Sequence, residues 1–259
     1  MAEYIDQMNE TIRLVDLPLR IVSLVPSQTE LLHNLGLEKE VVGITKFCIH
    51  PTIWYQTKNR IGGTKTVDLE KVRALNPDLI IGNKEENSQS DIDSLKEIAP
   101  VWMSNVYSLE DAIEMINEIG QIVGKLTEAK QLCENIMSAF SSMINIQSVN
   151  KSVLYFIWNN PNLIAGKNTF IDNMLSKCGL DNLATDERYP KVTENLHPDY
   201  IFLSSEPFPF KEKHIGEFQF TYPEAEIKIV DGEMFSWYGS RLKDAPNYFT
   251  NLLSSLSLK

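Results

Sequence analysis

The stretch "LNPDLIIGN" (75–83) decides the fold, because nearly the same phrase returns at 196–204 as "LHPDYIFLS". Each copy carries Leu-x-Pro-Asp and then three large apolar or aromatic residues: Leu79, Ile80 and Ile81 in the first, Tyr200, Ile201 and Phe202 in the second. Pro77 and Pro198 stop any helix that leads into them, and the unbroken apolar triplet suits a strand covered on both faces.

Outward from the first copy, "RIVSLVPSQTELLHNLGL" (20–37) reads as a strand at 21–25, a turn and a helix. Ser27 and Glu30 have the spacing of a capping box there, and Gly36 is the stop. "VVGITKF" (41–47) is a second strand, and "DLEKVRAL" (68–75) is a short helix running into the repeated phrase. A helix in 84–100 then leads to the strand "VWMSNV" (101–106). The second copy is framed by the strands "SVLYFIW" (152–158) and "EIKIVDG" (226–232), a helix from Asn168 to Cys178 closed by Gly179, and a terminal helix in 244–257. Such alternation of strand and helix with short loops predicts parallel sheets.

From Ser108 to about Ile146 there is almost no breaker, and apolar residues recur at three- and four-residue steps. The expectation is one helix of about 35 residues, bent near Gly124 and roughly 50 Å long at 1.5 Å per residue. The predicted fold is therefore α/β: two similar lobes with mostly parallel sheets, residues 1–107 and 149–259. A long backbone helix within 108–148 joins them, and a ligand cleft lies between the lobes.

Composition narrows the function. The 259 residues carry 24 basic and 35 acidic side chains, a net charge of −11, which disfavours non-specific binding to nucleic acid or an anionic membrane. Three scattered cysteines (Cys48, Cys133, Cys178) predict neither a disulfide framework nor a zinc ribbon. The first residues, "MAEYIDQMNETIRLVD", are polar and acidic, unlike a signal peptide. No P-loop, GxGxxG, GxSxG or HExxH is present, so nucleotide-binding, hydrolase and metalloprotease readings have no motif behind them. The expectation is a binding protein, monomeric, rather than an enzyme.

In open α/β sheets ligands bind at the carboxyl ends of the strands. The candidate loops are 26–28, 47–50, 64–65 and 83–86 in the first half, and 158–160, 204–206 and 231–238 in the second. "FCIHP" (47–51) offers Cys48 and His50 as candidate metal ligands one residue apart.

These segments carry a family resemblance. "RIVSLVPSQTELLHNLGL", "IGGTKTVDLEKVRALNPDLIIGN" and the long helix resemble the helical-backbone class of substrate-binding proteins, which serve ABC importers of cobalamin, ferric siderophores and haem. The cobalamin branch is the most similar, through "GGTKTVDLEKV" and "GLDNLATDERYPKV". The resemblance implies little hinge motion, a small-molecule chelate carrying iron or cobalt, no cofactor of the protein's own, an ABC permease dimer as partner and a periplasmic location. Because no leader is evident, the cytoplasm is the alternative location, with a tetrapyrrole-handling protein or chelatase using His50 and Glu206 as the alternative function.

Together with the strand-end rule, the resemblance places Ser27, His50, Thr64, Lys65, Asn83 and Lys84 at the ligand in the first lobe. In the second it places Trp158, Arg188, Tyr189, Ser205, Glu206, Glu233, Phe235, Trp237 and Arg241. Trp158, Phe235, Trp237 and Tyr238 are the expected aromatic walls, and Lys65, Arg188 and Arg241 the expected partners of anionic ligand edges. It also implies one exposed glutamate per lobe for docking to the transporter, Glu70 and Glu194, with the helix bearing Glu194 about one turn shorter than that bearing Glu70.

Overall fold

The computed structural model describes residues 1–143, 151–192 and 196–256. The chain divides into two compact units. The amino-terminal unit comprises Met1–Val106, Glu110–Asn135 and Tyr238–Arg241; the carboxy-terminal unit comprises Tyr107–Leu109, Ile136–Trp237 and Leu242–Lys259.

The amino-terminal unit opens with a hairpin of β1 (Ala2–Ile5) and β2 (Thr11–Leu14). There follow β3 (Ile21–Ser23), α1 (Pro26–Asn34), β4 (Val41–Ile44), α2 (Thr52–Thr57) and β5 (Asn59–Arg60). Next come a small hairpin of β6 (Gly62–Gly63) and β7 (Thr66–Val67), then α3 (Leu69–Ala74), β8 (Leu79–Asn83), α4 (Gln89–Lys96) and β9 (Val101–Ser104). The sheet has the order β5-β4-β3-β8-β9, and all its pairings are parallel.

The carboxy-terminal unit runs through β10 (Lys151–Trp158), β11 (Leu163–Ile164), α7 (Phe170–Lys177), β12 (Leu180–Asn182) and β13 (Tyr200–Ser204). It ends with α8 (Glu212–Thr221), β14 (Glu226–Val230), α9 (Gly232–Ser236) and α10 (Ala245–Ser254). Its sheet has the order β11-β10-β13-β14 with β12 also on β10, parallel except for β11.

The repeated phrase supplies the equivalent strand in each unit. All five residues of β8 and all five of β13 are buried, and each strand is flanked on both sides by parallel neighbours. The aspartate before each strand has a matching task. Asp78 accepts the backbone N–H groups of Leu19 (2.8 Å) and Arg20 (2.9 Å) just ahead of β3, while Asp199 accepts the N–H of Ser152 (2.8 Å) in β10 and the Lys151 ammonium (2.8 Å). Each carboxylate thus satisfies amides that enter the neighbouring strand and fixes its register.

Two local expectations are corrected. No capping box opens α1. Its N-cap is Val25 without a side-chain bond, Pro26 occupies the first turn where a missing N–H costs nothing, and Ser27 is buried. The continuous helix expected over 108–148 is two helices, α5 (Leu109–Ile122) and α6 (Leu126–Ser142). Gly124 lies at φ +69°, its N–H donates to the Gln121 carbonyl (3.2 Å), and the Lys125 N–H donates to the Gly120 carbonyl (2.6 Å). That pair of bonds is a Schellman cap, which ends a helix rather than bending it. A Cβ on Gly120 would collide with the Cβ of Ala129, and the Cys133 thiol donates to the Ile113 carbonyl (3.6 Å), so α6 folds back along α5. At 17 residues α6 is about 26 Å long. The chain passes from one unit to the other within it. Residues 144–150, which include the expected end of the long helix, lie outside the described residues.

Candidate functional site

In the amino-terminal unit β3, β4, β8 and β9 end in segments 24–25, 45–51, 84–88 and 105–106, and β5 runs on through Ile61 into the β6–β7 hairpin. Loop 45–51 turns Cys48 inward and Phe47 and Ile49 outward. Cys48 is fully buried, with the Thr29 hydroxyl donating to its sulfur (3.1 Å) and the Thr45 hydroxyl equally close. Burial pushes the Cys48 thiol up, away from the thiolate a metal needs. The expected Cys48/His50 metal pair is therefore closed at its sulfur, whereas His50 is half-buried at the loop's edge. Among the described residues no group of three or more His, Cys, Asp or Glu is placed to hold a metal ion.

Asn83 is also turned to the interior. It is buried, its carbonyl oxygen accepts the N–H groups of Glu85 (2.8 Å) and Glu86 (3.1 Å), and its amide donates to the Ser104 hydroxyl (2.9 Å). It shapes the turn that presents exposed Lys84. Thr64 and exposed Lys65 form the tip of the β6–β7 hairpin, which the Asn87 amide holds through the Thr64 carbonyl (2.8 Å). Ser27 is buried in the first turn of α1. Arg241, which belongs to this unit, forms a bidentate ion pair with Glu30 instead of extending freely.

In the carboxy-terminal unit Trp158 ends β10 and is 40% exposed. Phe208, in the loop after the adjacent strand β13, packs edge-on against it at 5.7 Å between ring centres. Phe208 lies outside the expected site, and its signal in the sequence is the alternating "PFPF" (207–210) just past a buried strand. The other three expected walls are corrected. Phe235 is fully buried against Tyr155, Phe202 and Phe249, as core. Trp237 and Tyr238 are 6% and 7% exposed, and the Trp237 indole N–H donates to Glu206 (3.0 Å).

Glu206 accepts from both Trp237 and the Ser236 hydroxyl (2.7 Å) on the same oxygen. Its burial raises the carboxyl pKa, with the charges of Glu233 and Asp231 adding to the rise and the two hydrogen bonds opposing it. Ser205 is exposed, its hydroxyl accepting the Gly232 N–H (2.9 Å), and the Glu233 N–H is capped by Asp231 (3.1 Å). Arg188 lies at φ +67° with its guanidinium 5.6 Å over the Tyr107 ring, next to half-buried Tyr189.

Glu70 stands in the first turn of α3 with its side chain 89% exposed, 3.8 Å from Arg73. Glu194 lies outside the described residues. The described residues around it, 183–192 and 196–199, form no helix, in contrast to the shortened helix expected there.

The sequence and this fold of two units with parallel sheets are similar to those of known proteins. A substrate-binding lipoprotein of an ABC transporter from Bacillus subtilis is 28% identical over 212 residues, 76% of this chain and 67% of its own. The periplasmic vitamin B12 binding protein of Vibrio cholerae superposes with a TM-score of 0.77 at 19% identity, over 92% of this chain and 97% of its own. A periplasmic haem-binding protein from Pseudomonas aeruginosa does so with 0.79 at 22% identity, over 93% and 95%. Residues 21–214 match the periplasmic binding protein family, and on that match, which spans most of the sequence, the chain belongs to it.

Proposed function

We propose that this chain is the substrate-binding component of an ABC importer and captures a metal chelate of the cobalamin, haem or ferric siderophore type. The loops at the carboxyl ends of its parallel strands hold the chelate. The observation that carries this reading is the family match over residues 21–214 on a fold that exposes Phe47 and Ile49 in a strand-end loop and Trp158 at the end of β10. Apolar groups held at the mouth of a parallel sheet suit a bulky ligand with a planar or apolar face. By the same family, the chain works outside the cytoplasm with a permease dimer.

The chelatase alternative needs an accessible base. Glu206, its designated carboxylate, is largely enclosed and already accepts two hydrogen bonds at one oxygen, an arrangement that favours a structural role. Calorimetric titration of the purified protein with cyanocobalamin, haemin and ferric siderophores, beside a sugar and an amino acid, tests the proposal. Micromolar or tighter binding of a chelate is expected. Binding of the sugar or amino acid, with no heat from any chelate, overturns it.

A further inference from the structure

On a protein with a net charge of −11, three lysines stand on the strand-end loops of the amino-terminal unit. Lys46 follows β4, Lys65 sits at the β6–β7 tip and Lys84 follows β8; all three are exposed. The segments that carry them are stitched together. The Lys46 N–H donates to the Gly62 carbonyl (2.8 Å), and the side-chain amide of Asn87 donates to the Thr64 carbonyl (2.8 Å). The carbonyl oxygen of Asn87 in turn accepts the N–H of Asn83 (2.9 Å), the residue before Lys84.

Gly63 is bare where this matters. A Cβ there would lie 3.3 Å from the Phe47 ring and 3.5 Å from the Lys46 stem, so these side chains lie across the hairpin. The Lys46 ammonium sits 5.1 Å from the centre of the Phe47 ring. The acids beside them are more enclosed than the lysines. Glu85 and Glu86 are half-buried, with one Glu85 carboxylate oxygen fully covered, and Asp68 is paired with Lys71 at 3.1 Å.

We infer that these loops select ligand by charge: Lys46, Lys65 and Lys84, set around the exposed faces of Phe47 and Ile49, take a chelate with an apolar body and two or more peripheral anionic groups. Neutral and cationic chelates bind more weakly. The inference rests on the chelate-binding reading above and adds the ligand's charge to it. Ammonium groups on flexible stems suit anions spread around a ligand's periphery, such as carboxylates or catecholate oxygens, better than a single planar contact.

The test is titration of the whole protein with four probes: a triply anionic ferric tris-catecholate, haemin with its two propionates, neutral cyanocobalamin and cationic ferrioxamine B. Each is measured at low salt and near 1 M, where exposed charges are screened within about 3 Å. The first two probes separate a siderophore from a porphyrin as the source of the anions. An anionic probe is expected to bind about tenfold or more tightly than the neutral and cationic ones, a margin of roughly 1.4 kcal/mol that shrinks in salt. Lys46→Gln/Lys65→Gln/Lys84→Gln should erase that preference with an unchanged melting temperature, and Lys65→Gln alone should reduce it. Equal binding of probes irrespective of charge, or a preference that survives the triple substitution, overturns the charge inference and leaves chelate binding standing. Absence of binding by every chelate overturns both.

Discussion

Arg241 holds both carboxylate oxygens of Glu30, Nη2 to Oε1 at 2.7 Å and Nε to Oε2 at 3.0 Å, across 211 residues of sequence. The two side chains are 15% and 22% exposed, so the pair is largely withdrawn from water. It fastens the segment Tyr238–Arg241 to α1 within the amino-terminal unit. Truncating either partner leaves the other charge poorly solvated, which costs about 2 kcal/mol for a pair between surface and core. Glu30→Ala and Arg241→Ala should each lower the melting temperature by several degrees. The double variant should cost little more than either single one. A double-mutant cycle by thermal unfolding checks this, and fully additive effects would show that the pair contributes nothing.

Trp158 is the tryptophan open to solvent, because Trp54 and Trp102 are fully buried and Trp237 is 6% exposed. Acrylamide should therefore quench one component of the emission readily and leave the rest almost untouched. Trp158→Phe should remove the quenchable component. A bound chelate resting on the Trp158–Phe208 edge pair should shield it, and Phe208→Ala should weaken that chelate by about 0.5–1.5 kcal/mol, the worth of one aromatic contact. Stern–Volmer plots with and without haemin or cyanocobalamin read the quenching, and titrations of the same variants read the affinity. Quenching that persists in Trp158→Phe would contradict the burial of the other indoles.

The repeated Leu-x-Pro-Asp phrase was legible because its consequences are local: proline ends the preceding segment, and an apolar run fills a doubly covered strand. Its partner across the sheet was not, since nothing in the sequence says that Asp78 reaches Leu19 and Arg20 or that Asp199 reaches Ser152. The break at Gly124 is hidden in the sequence for the opposite reason. Periodicity is the same in one long helix and in two packed ones, and only the left-handed φ of Gly124 separates them. Among site residues the pattern gave loop positions but not directions. Cys48 and Asn83 point inward, Phe235 joins the core, and Lys46 and Phe208, passed over, stand at the mouths of their sheets.

Glu70 offers a test of docking that is separate from ligand capture. Its carboxylate stands on α3, whereas the exposed lysines and Phe47 lie in other loops of the same unit. Exposed complementary charge chiefly steers and registers association. Glu70→Lys should abolish chelate uptake into cells while the purified protein keeps its chelate affinity and melting temperature. A parallel loss of chelate affinity would place Glu70 at the ligand instead of at the transporter.

Glu118, on α5, makes stability depend on pH near neutrality. Burial raises its carboxyl pKa to about 7, with the charges of Glu114 and Asp6 adding to the rise, and its Oε2 is buried without a hydrogen-bond partner. Asp6 is itself buried and raised by desolvation, although it accepts N–H groups from Met8, Glu10 and Met103. The unfolded chain ionises Glu118 near its ordinary value of 4.5. Below that value both states are protonated and there is no penalty. As pH rises from 4.5 to about 7 the unfolded state sheds the proton first, so unfolding becomes easier, and above 7 the whole penalty is in force. Glu118→Gln keeps the shape and removes the charge. It should raise the urea midpoint at about pH 8, and the gain should fade towards pH 5, where the native carboxyl is already neutral. An equal gain at both pH values would mean that the substitution acts through packing and that Glu118 does not titrate in this window.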